Sequence, residues 1–387
     1  MESGSNGGRD RLLARYRTER KIGEGAFGAV FRARDLQTGE LVAVKRVRLR
    51  DTRNLPVNAL RELSVLRRLE HPNVLALLDV RTDGASLALV TPFLPASLAA
   101  VLQQRDMPLP EAHGRAYARM LLYGLAAVHA ERLVHRDIKP ANLLIAADGR
   151  LQIADFGQAR LLPDDGGSLS HAVATRWYRA PEILLGSATY GFAVDMWALG
   201  CILGEMLVGK PIFPGTSTMN QLDKITSLIG CPSKEKVEEI SPFARTMLYE
   251  SPNASFPTPH SGSRNGRREA PEDQDAFRRF QGVFTNASDD AIDLLIHLLH
   301  FDPEKRLTAA AALDHPYIAQ FHDPSVERVA KTVVKPPVPD DDKKSTNFYR
   351  DQLYNLNQYK TAPQSGSRPH GQDSRRGGQS SGRYSGR

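Results

Sequence analysis

The chain has 387 residues, with 51 Lys and Arg against 44 Asp and Glu, 41% hydrophobic and 25% charged residues, and a formal charge of +7. This is an ordinary globular balance, long enough for two or three lobes or domains, and the positive charge suits anionic partners without choosing among them. No apolar run can span a bilayer, MESGSNGGRD is not a signal peptide, and two isolated cysteines, Cys201 and Cys231, exclude a disulfide framework or zinc site and fit a reducing, intracellular compartment.

In chain order, residues 1–15 are Gly/Ser-rich and then basic, which predicts a flexible segment. Residues 16–95 alternate like strands with one helical interval, and 108–325 read mainly as helices between Gly/Pro-marked loops. Residues 251–275 are polar and rich in Ser, Pro and charge, which predicts an exposed insertion. Residues 361–387 carry Arg, Gly and Ser with almost nothing aliphatic to bury, which predicts disorder. There is no internal repeat.

KIGEGAFGAVFRA places Gly23, Gly25 and Gly28 at the spacing that lets a backbone approach phosphate oxygens. The same spacing opens a dinucleotide-binding helix, but GAVFRARDLQTGELVAVKRV continues as two strands joined by a turn. In the second of these strands Ala43 and Lys45 share a face by the period of two, as a small apolar contact and a cation for phosphates. In the helix over 56–70, Ala59, Leu63, Leu66 and Leu69 form an apolar arc, and Glu62 falls inside it. A carboxylate there is costly unless paired, and Lys45 is the natural partner; the alternative is a glutamate at the rim that reaches water.

LVHRDIKPANLLI and QIADFGQAR supply the densest chemistry. Phosphoryl transfer is mostly positioning and charge neutralisation. Asp137 is placed to accept a substrate hydroxyl's proton, Lys139 to stabilise the transferring phosphate, and Asn142 and Asp155 to hold Mg²⁺.

On these motifs, residues from about Tyr16 to Tyr317 resemble a eukaryotic protein kinase. PVNALRE (56–62) and ATRWYRAPE (174–182) resemble the group that contains cyclin-dependent and mitogen-activated protein kinases. The resemblance implies an α+β, bilobal protein kinase fold: a small β-rich N-lobe with one main helix over 16–94 and a larger, mostly α-helical C-lobe over 95–323. An extension over 324–360 and the tail 361–387 follow. It implies ATP and Mg²⁺ as cofactors. ATP is expected at Ile22, Gly23, Glu24, Gly25, Ala26, Phe27, Gly28, Ala29 and Val30, then at Ala43 and Lys45, at Thr91, Pro92 and Leu94 of the interlobe linker, and at Leu144. Ser/Thr specificity is implied by Lys139 with Thr175. Glu182 and Arg306 resemble the family's structural ion pair, and Asp195 resembles its catalytic-loop brace.

Branch and regulation are read from departures. The N-lobe resembles cyclin-dependent, particularly cell-cycle-related, kinases; the C-lobe and the extension resemble atypical mitogen-activated protein kinases of the extracellular signal-regulated kinase seven/eight branch. Relatives on both branches are associated with cilia, but no residue here shows that, and the expectation is an intracellular protein of the cytoplasm, the nucleus or both. Ala26 and Phe27 stand where cyclin-dependent kinases often carry an inhibitory Thr-Tyr pair, so that brake is expected to be absent. Pro92 lacks an N–H, but the family's adenine contacts need its carbonyl and the N–H of Leu94. Ser97 stands where relatives often have an acid that contacts the ribose.

Where the seven/eight branch carries Thr-x-Tyr, this chain has Ser170-His171-Ala172. Arg61, Arg136 and Arg160 align with three arginines that gather round the phosphorylated loop residue, so a phosphate on Ser170 is expected to order the loop. Each charge-assisted bond is on the order of 1.5–3 kcal/mol. The alternative is an ordinary serine, with the arginines paired to Asp164, Asp165 or another acid. Arg179 resembles the residue that satisfies the Ala174 carbonyl and leaves a pocket for proline after the acceptor; with Arg176 these form the expected substrate pocket.

The resulting expectation is a monomeric, proline-directed Ser/Thr protein kinase switched at Ser170, acting on Ser/Thr-Pro sites of protein substrates. A cyclin-like activator or upstream kinase is the alternative within the class. Outside it stand a pseudokinase scaffold, which needs a break in Lys45, Asp137, Asn142 or Asp155 that is not found, and an RNA-associated adaptor that works through the basic tail. Nucleic acid is otherwise not expected as a partner, and Asp340, Asp341 and Asp342 form a short acidic run that is solvated or a docking surface for basic motifs.

Overall fold

Strand-forming residues and Gly-marked turns build the N-terminal lobe around one antiparallel sheet. β1 (Tyr16–Gly25), β2 (Gly28–Asp35) and β3 (Leu41–Arg48) precede α1 (Val57–Arg68); β4 (Asp79–Thr82) and β5 (Ser86–Pro92) complete the sheet in the order β1-β2-β3-β5-β4. The structure, a computed structural model, describes residues 14–319 apart from 26–27, 49–56, 83–85, 106, 163–174, 188, 231, 242–243 and 251–271. Ala26, Phe27, Ser170, His171, Ala172 and Ala174, Asp164 and Asp165, most of the 251–275 segment, the extension 324–360 with Asp340–Asp342, and the tail 361–387 therefore lie outside the described residues.

The period of two operates along β3. Val42 and Val44 are buried with Tyr16, Ala33, Ala88 and Val90 on one side, and Val47 joins Ala59, Leu60, Leu63, Leu87 and Leu89 on the other. Ala43 and Lys45 thus share the face toward α1. β2 approaches β3 so closely that a Cβ on Gly28 would lie 2.0 Å from the Arg46 carbonyl oxygen, so only glycine fits where this strand begins.

The buried face of α1 is wider than the four-residue arc, because Leu60 and Val65 are buried as well. Its first half packs into the sheet's cluster, while Val65, Leu66 and Leu69 join the large core of the second lobe. Burying a Leu side chain contributes roughly 1.5–3 kcal/mol, enough for two cores together to hold a helix that also buries Glu62. Beyond α1 the chain is fastened to the second lobe: Ile153 N–H donates to the Asn73 carbonyl at 2.8 Å, Leu75 N–H to the Ile153 carbonyl at 2.9 Å, and Asn73 Nδ2 to the Leu151 carbonyl at 2.8 Å. Gly124 permits this approach, since a Cβ there would lie 2.9 Å from the Asn73 oxygen.

The second lobe begins with β6 (Ala96–Ser97), α2 (Leu98–Gln103) and α3 (Glu111–Ala130). Short strands β7 (Leu133–Val134), β8 (Leu143–Ile145), β9 (Leu151–Ile153) and β10 (Arg160–Leu161) form a β6-β8-β9 sheet and a β7-β10 pair. Then come α4 (Pro181–Leu184), α5 (Ala193–Val208), α6 (Thr218–Ile229), α7 (Lys234–Ile240), α8 (Glu272–Val283), α9 (Asp289–Leu298), α10 (Ala309–Leu313) and α11 (Pro316–Ala319). α5 is apolar around most of its circumference and runs through the core, with Trp197 and Leu203 fully buried. Ser217, Ser233, Ser288 and Thr308 cap α6, α7, α9 and α10 by accepting a backbone N–H, the N-terminal chemistry expected of such residues. α8 starts inside the stretch read as an exposed insertion, because Phe280 is buried in the core. Among the described residues, no helix is long and apolar enough to cross a membrane.

Candidate active site

Three elements converge on one cation. Lys45 on β3 has its Nζ 2.6 Å from Glu62 Oε2 of α1 and 3.2 Å from Asp155 Oδ1, in the loop after β9. Burial disfavours the Lys45 ammonium, but the two carboxylates outweigh it and raise its pKa. Burial also pushes Asp155 up, and Lys45 more than reverses this, holding that carboxyl below its usual range. Burial pushes the Glu62 carboxyl up, and Lys45 opposes it.

Across the cleft, Lys139 Nζ donates to Asp137 Oδ2 at 2.8 Å, and Asn142 Nδ2 donates to the Asp137 carbonyl at 2.8 Å and to its Oδ2 at 3.0 Å. Asn142 thereby spends its amide nitrogen on Asp137 and keeps its carbonyl oxygen for another partner. That oxygen and the Asp155 carboxylate, half exposed in the cleft, are the hard oxygen donors that Mg²⁺ takes, so the residues fit the ion.

Both loops are held in unusual backbone. Arg136, beside Asp137, has φ 69°, and Asp155 has φ 63°, left-handed values that cost a non-glycine residue on the order of 1–3 kcal/mol. Asp195 offsets the first by accepting the backbone N–H of His135 at 2.8 Å and of Arg136 at 2.9 Å. His129 Nε2 lies 3.0 Å from the same carboxylate. Burial pushes Asp195 up, but His129 and the N–H donors hold it below the ordinary range. His135 contacts the Ala154 carbonyl at 3.1 Å and meets the Phe156 ring edge-on at 4.8 Å, which ties the two loops together.

The described residues expected at the nucleotide fall on the strands around Lys45, on the linker and on β8. Ile22, Gly23, Glu24 and Gly25 end β1, and Gly28, Ala29 and Val30 begin β2, with Val30 opposite Lys45. Ala43 pairs with Thr91, and Pro92 ends β5 opposite Val42. Leu94 is half-buried in the linker, and Leu144 lies on β8 opposite Ser97. The Ser97 hydroxyl accepts the Ala100 N–H at 3.2 Å and caps α2. A serine before an apolar run is a capping signal, and here the hydroxyl serves the helix.

Arg61, Arg136 and Arg160 are all buried, on α1, the Asp137 loop and β10. The β7–β10 pairing sets Arg160 opposite Val134, two residues from Arg136. Arg61 donates to Asn58 Oδ1 at 3.3 Å, Arg160 to the Ala159 carbonyl at 2.9 Å, and Arg136 lies over the Tyr190 ring at 5.6 Å.

Thr175 opens the turn Arg176–Tyr178, and a pocket lined by Arg136, Asp137, Thr175, Tyr178, Arg179 and Tyr190 lies beside the Asp137 carboxylate. Burial lowers the Arg179 pKa, Arg176 adds to this, and Asp137 opposes it. The turn is pinned to the lobe beneath: Arg176 donates to the Thr216 carbonyl at 2.8 Å, Trp177 to the Gly215 carbonyl at 3.2 Å, and Tyr178 OH to Glu205 Oε2 at 2.7 Å. The Tyr178–Glu205 and His129–Asp195 contacts were not legible beforehand, because their partners lie 27 and 66 residues apart with no local pattern joining them.

The family description that matches is the protein kinase domain, over residues 16–318. The chain is 40% identical over 357 residues to Extracellular signal-regulated kinase 2 of Dictyostelium discoideum, covering 89% of this chain and 90% of that protein. It is 43% identical over 300 residues to Cyclin-dependent kinase 20 of Rattus norvegicus, covering 77% and 81%, and 39% identical over 352 residues to Mitogen-activated protein kinase 15 of the same species, covering 88% and 60%. The chain belongs to the protein kinase family. Within it, the chain is an ATP-dependent Ser/Thr kinase of the group that contains cyclin-dependent and mitogen-activated kinases, with features of both. Kinases of this family use ATP and Mg²⁺ and act on protein substrates.

Proposed function

We propose that this chain is a proline-directed kinase that carries out phosphoryl transfer with the residues gathered at the cleft and is switched by one phosphate on Ser170. The observation that carries the reading is the pairing of two clusters, Lys45 with Glu62 and Asp155 on one side and Asp137 with Lys139 and Asn142 on the other. Asn142 and Asp155 would hold Mg²⁺, which supplies positive charge to the phosphate oxygens. Lys45, seated by Glu62, orients the nucleotide phosphates, while the glycine-loop residues 22–30, Ala43, Thr91, Pro92, Leu94 and Leu144 enclose the nucleotide. Asp137 takes the proton of the acceptor hydroxyl, and Lys139, 2.8 Å from it, neutralises charge that develops between acceptor and phosphate. Thr175 orients this pair from the substrate side, and Arg176 and Arg179 shape the pocket for the residue after the acceptor.

Ser170, once phosphorylated, draws on Arg61, Arg136 and Arg160, which stand on α1, the Asp137 loop and β10, so one phosphate can tie all three elements together. The chain is read as acting as a monomer, with Glu62 seated against Lys45 by its own fold. Similarity to Cyclin-dependent kinase 20 favours a second reading, in which a cyclin-like partner or an upstream kinase completes activation.

The test is turnover of the full chain with Mg-ATP on a Ser-Pro peptide and its Ser-Ala counterpart, beside Ser170→Ala, with phosphosite mapping. The expected result is self-phosphorylation at Ser170, at least about tenfold preference for Ser-Pro, equivalent to about 1.4 kcal/mol, and near-loss of activity in the variant. Inactivity of both proteins with Ser170 unmodified selects the second reading. Equal activity of both removes the switch.

A further inference from the structure

The β1–β2 hairpin sets arginine against arginine. In its antiparallel register Arg17 lies across from Arg34, and Arg20 across from Arg32. Like charges directly opposite one another destabilise a sheet, so the arrangement works against the fold that carries it. Among the described residues one carboxylate is ion-paired on this face: Glu19, at the register shift between the two rungs, reaches Arg32 Nε at 2.8 Å and Arg34 Nε at 3.3 Å. Neighbouring acids are engaged elsewhere, Asp35 by Arg15 and Glu24 by Lys21. Arg17 and Arg20 are exposed, with no ion-pair partner among the described residues. The Arg32 guanidinium lies 5.4 Å over the Phe93 ring, which fixes the patch beside the interlobe linker.

We propose that this arginine face docks an extended acidic peptide of a partner protein. Guanidinium forks match carboxylates bidentately and are less strongly hydrated than ammonium groups, so they suit this ligand better than lysines would. Arg32 and Arg34 are two residues apart on β2, about 6.8 Å, the spacing of successive same-face side chains in an extended peptide. Two rungs are short against the roughly six to ten phosphate contacts of a nucleic-acid site. The ring at the patch, Phe93, is already covered by Arg32, which removes a stacking platform for bases. The surface is separate from the residues proposed for phosphoryl transfer, so its failure and theirs are distinguishable.

The experiment is fluorescence anisotropy of a fluorescein-labelled octaglutamate peptide on the full chain and on Arg17→Glu, Arg20→Glu. The C-terminal arginines are common to both proteins, so the ratio of affinities reads the hairpin. The expected result is at least about tenfold weaker binding by the double variant. Its basal turnover should be unchanged and its Tm equal or higher, since each new glutamate faces an arginine across the sheet. The milder pair Arg17→Gln, Arg20→Gln should give an intermediate loss. Equal affinity of wild type and variant overturns the proposal. So does displacement of the peptide by lower concentrations of oligo-dT, which makes the face a nucleic-acid surface, or tighter peptide binding when Asp340–Asp342 are changed to Asn, which makes the occupant this chain's own acidic run.

Discussion

Arg306 and Lys45 each hold a glutamate, under opposite conditions. Arg306 is buried and gives every donor a partner: two bonds of 2.7 Å to Glu182, and others to the carbonyls of His300, Ala193 and Phe301, with Trp197 beneath the guanidinium at 5.0 Å. Lys45 stands at the cleft, its side chain about a third exposed, shared unequally between Glu62 and an Asp155 carboxylate that is half open to solvent. A saturated buried ion pair has nothing left to offer a ligand and serves the fold. A partly satisfied one keeps charge available, and it is found where two lobes meet.

The sharpest way to break this comparison is Arg306→Ala. It leaves Glu182 buried and unpaired, with an expected loss of about 3–5 kcal/mol in urea unfolding and poor recovery of folded protein. A loss below about 1 kcal/mol would put the pair among ordinary surface bridges. Lys45→Met should do the reverse: turnover falls at least about 100-fold in a Mg-ATP assay while the melting temperature moves by only a few degrees, because burial already favours a protonated Glu62. If this variant fails to fold instead, the cleft charge is structural after all.

pH divides the same groups more finely. Asp195 sits below the ordinary carboxylate range in the folded protein, so its contribution is complete above about pH 4 and is lost as pH falls through its lower folded value. Glu62, pushed the other way by burial, contributes with the opposite sign, so its part is lost as pH rises through its folded value. Urea midpoints measured from about pH 2 to 6 should therefore show an acid limb below about pH 4 that flattens in Asp195→Asn; an unchanged limb assigns the acid sensitivity elsewhere. The smallest effect is expected from Ser97→Asp. Aspartate caps α2 as well as serine does, so stability should hold while the added carboxylate lowers the KM for ATP up to about tenfold. An unchanged KM means that the position does not meet the ribose.

Much of this was readable in the chain because it is local. The turn between β2 and β3 and the order His135-Arg136-Asp137, Asn142, Asp155 each rest on residues a few positions apart. The Lys45–Glu62 contact was also within reach, because a carboxylate in an apolar arc demands a partner and few cations can be one. The width of the α1 face was not, since a helix between two cores is buried on more than one stripe. Nor were the brace from His129 to Asp195 or the anchor from Tyr178 to Glu205, whose geometry exists only once α3, α5 and the Arg176–Tyr178 turn are packed together.

The fastening of Asn73 to β9 makes α1 a lever with its fulcrum in the other lobe. Glu62 lies six residues before Arg68, about 9 Å up the helix axis, so a tilt of roughly 15° about the lower end displaces it by roughly 2 Å. That displacement is enough to part a 2.6 Å contact, and it carries Arg61 along on the same arm. A push at the Val57 end therefore draws Glu62 away from Lys45 and moves Arg61 in a single stroke, while the Asn73 end stays still.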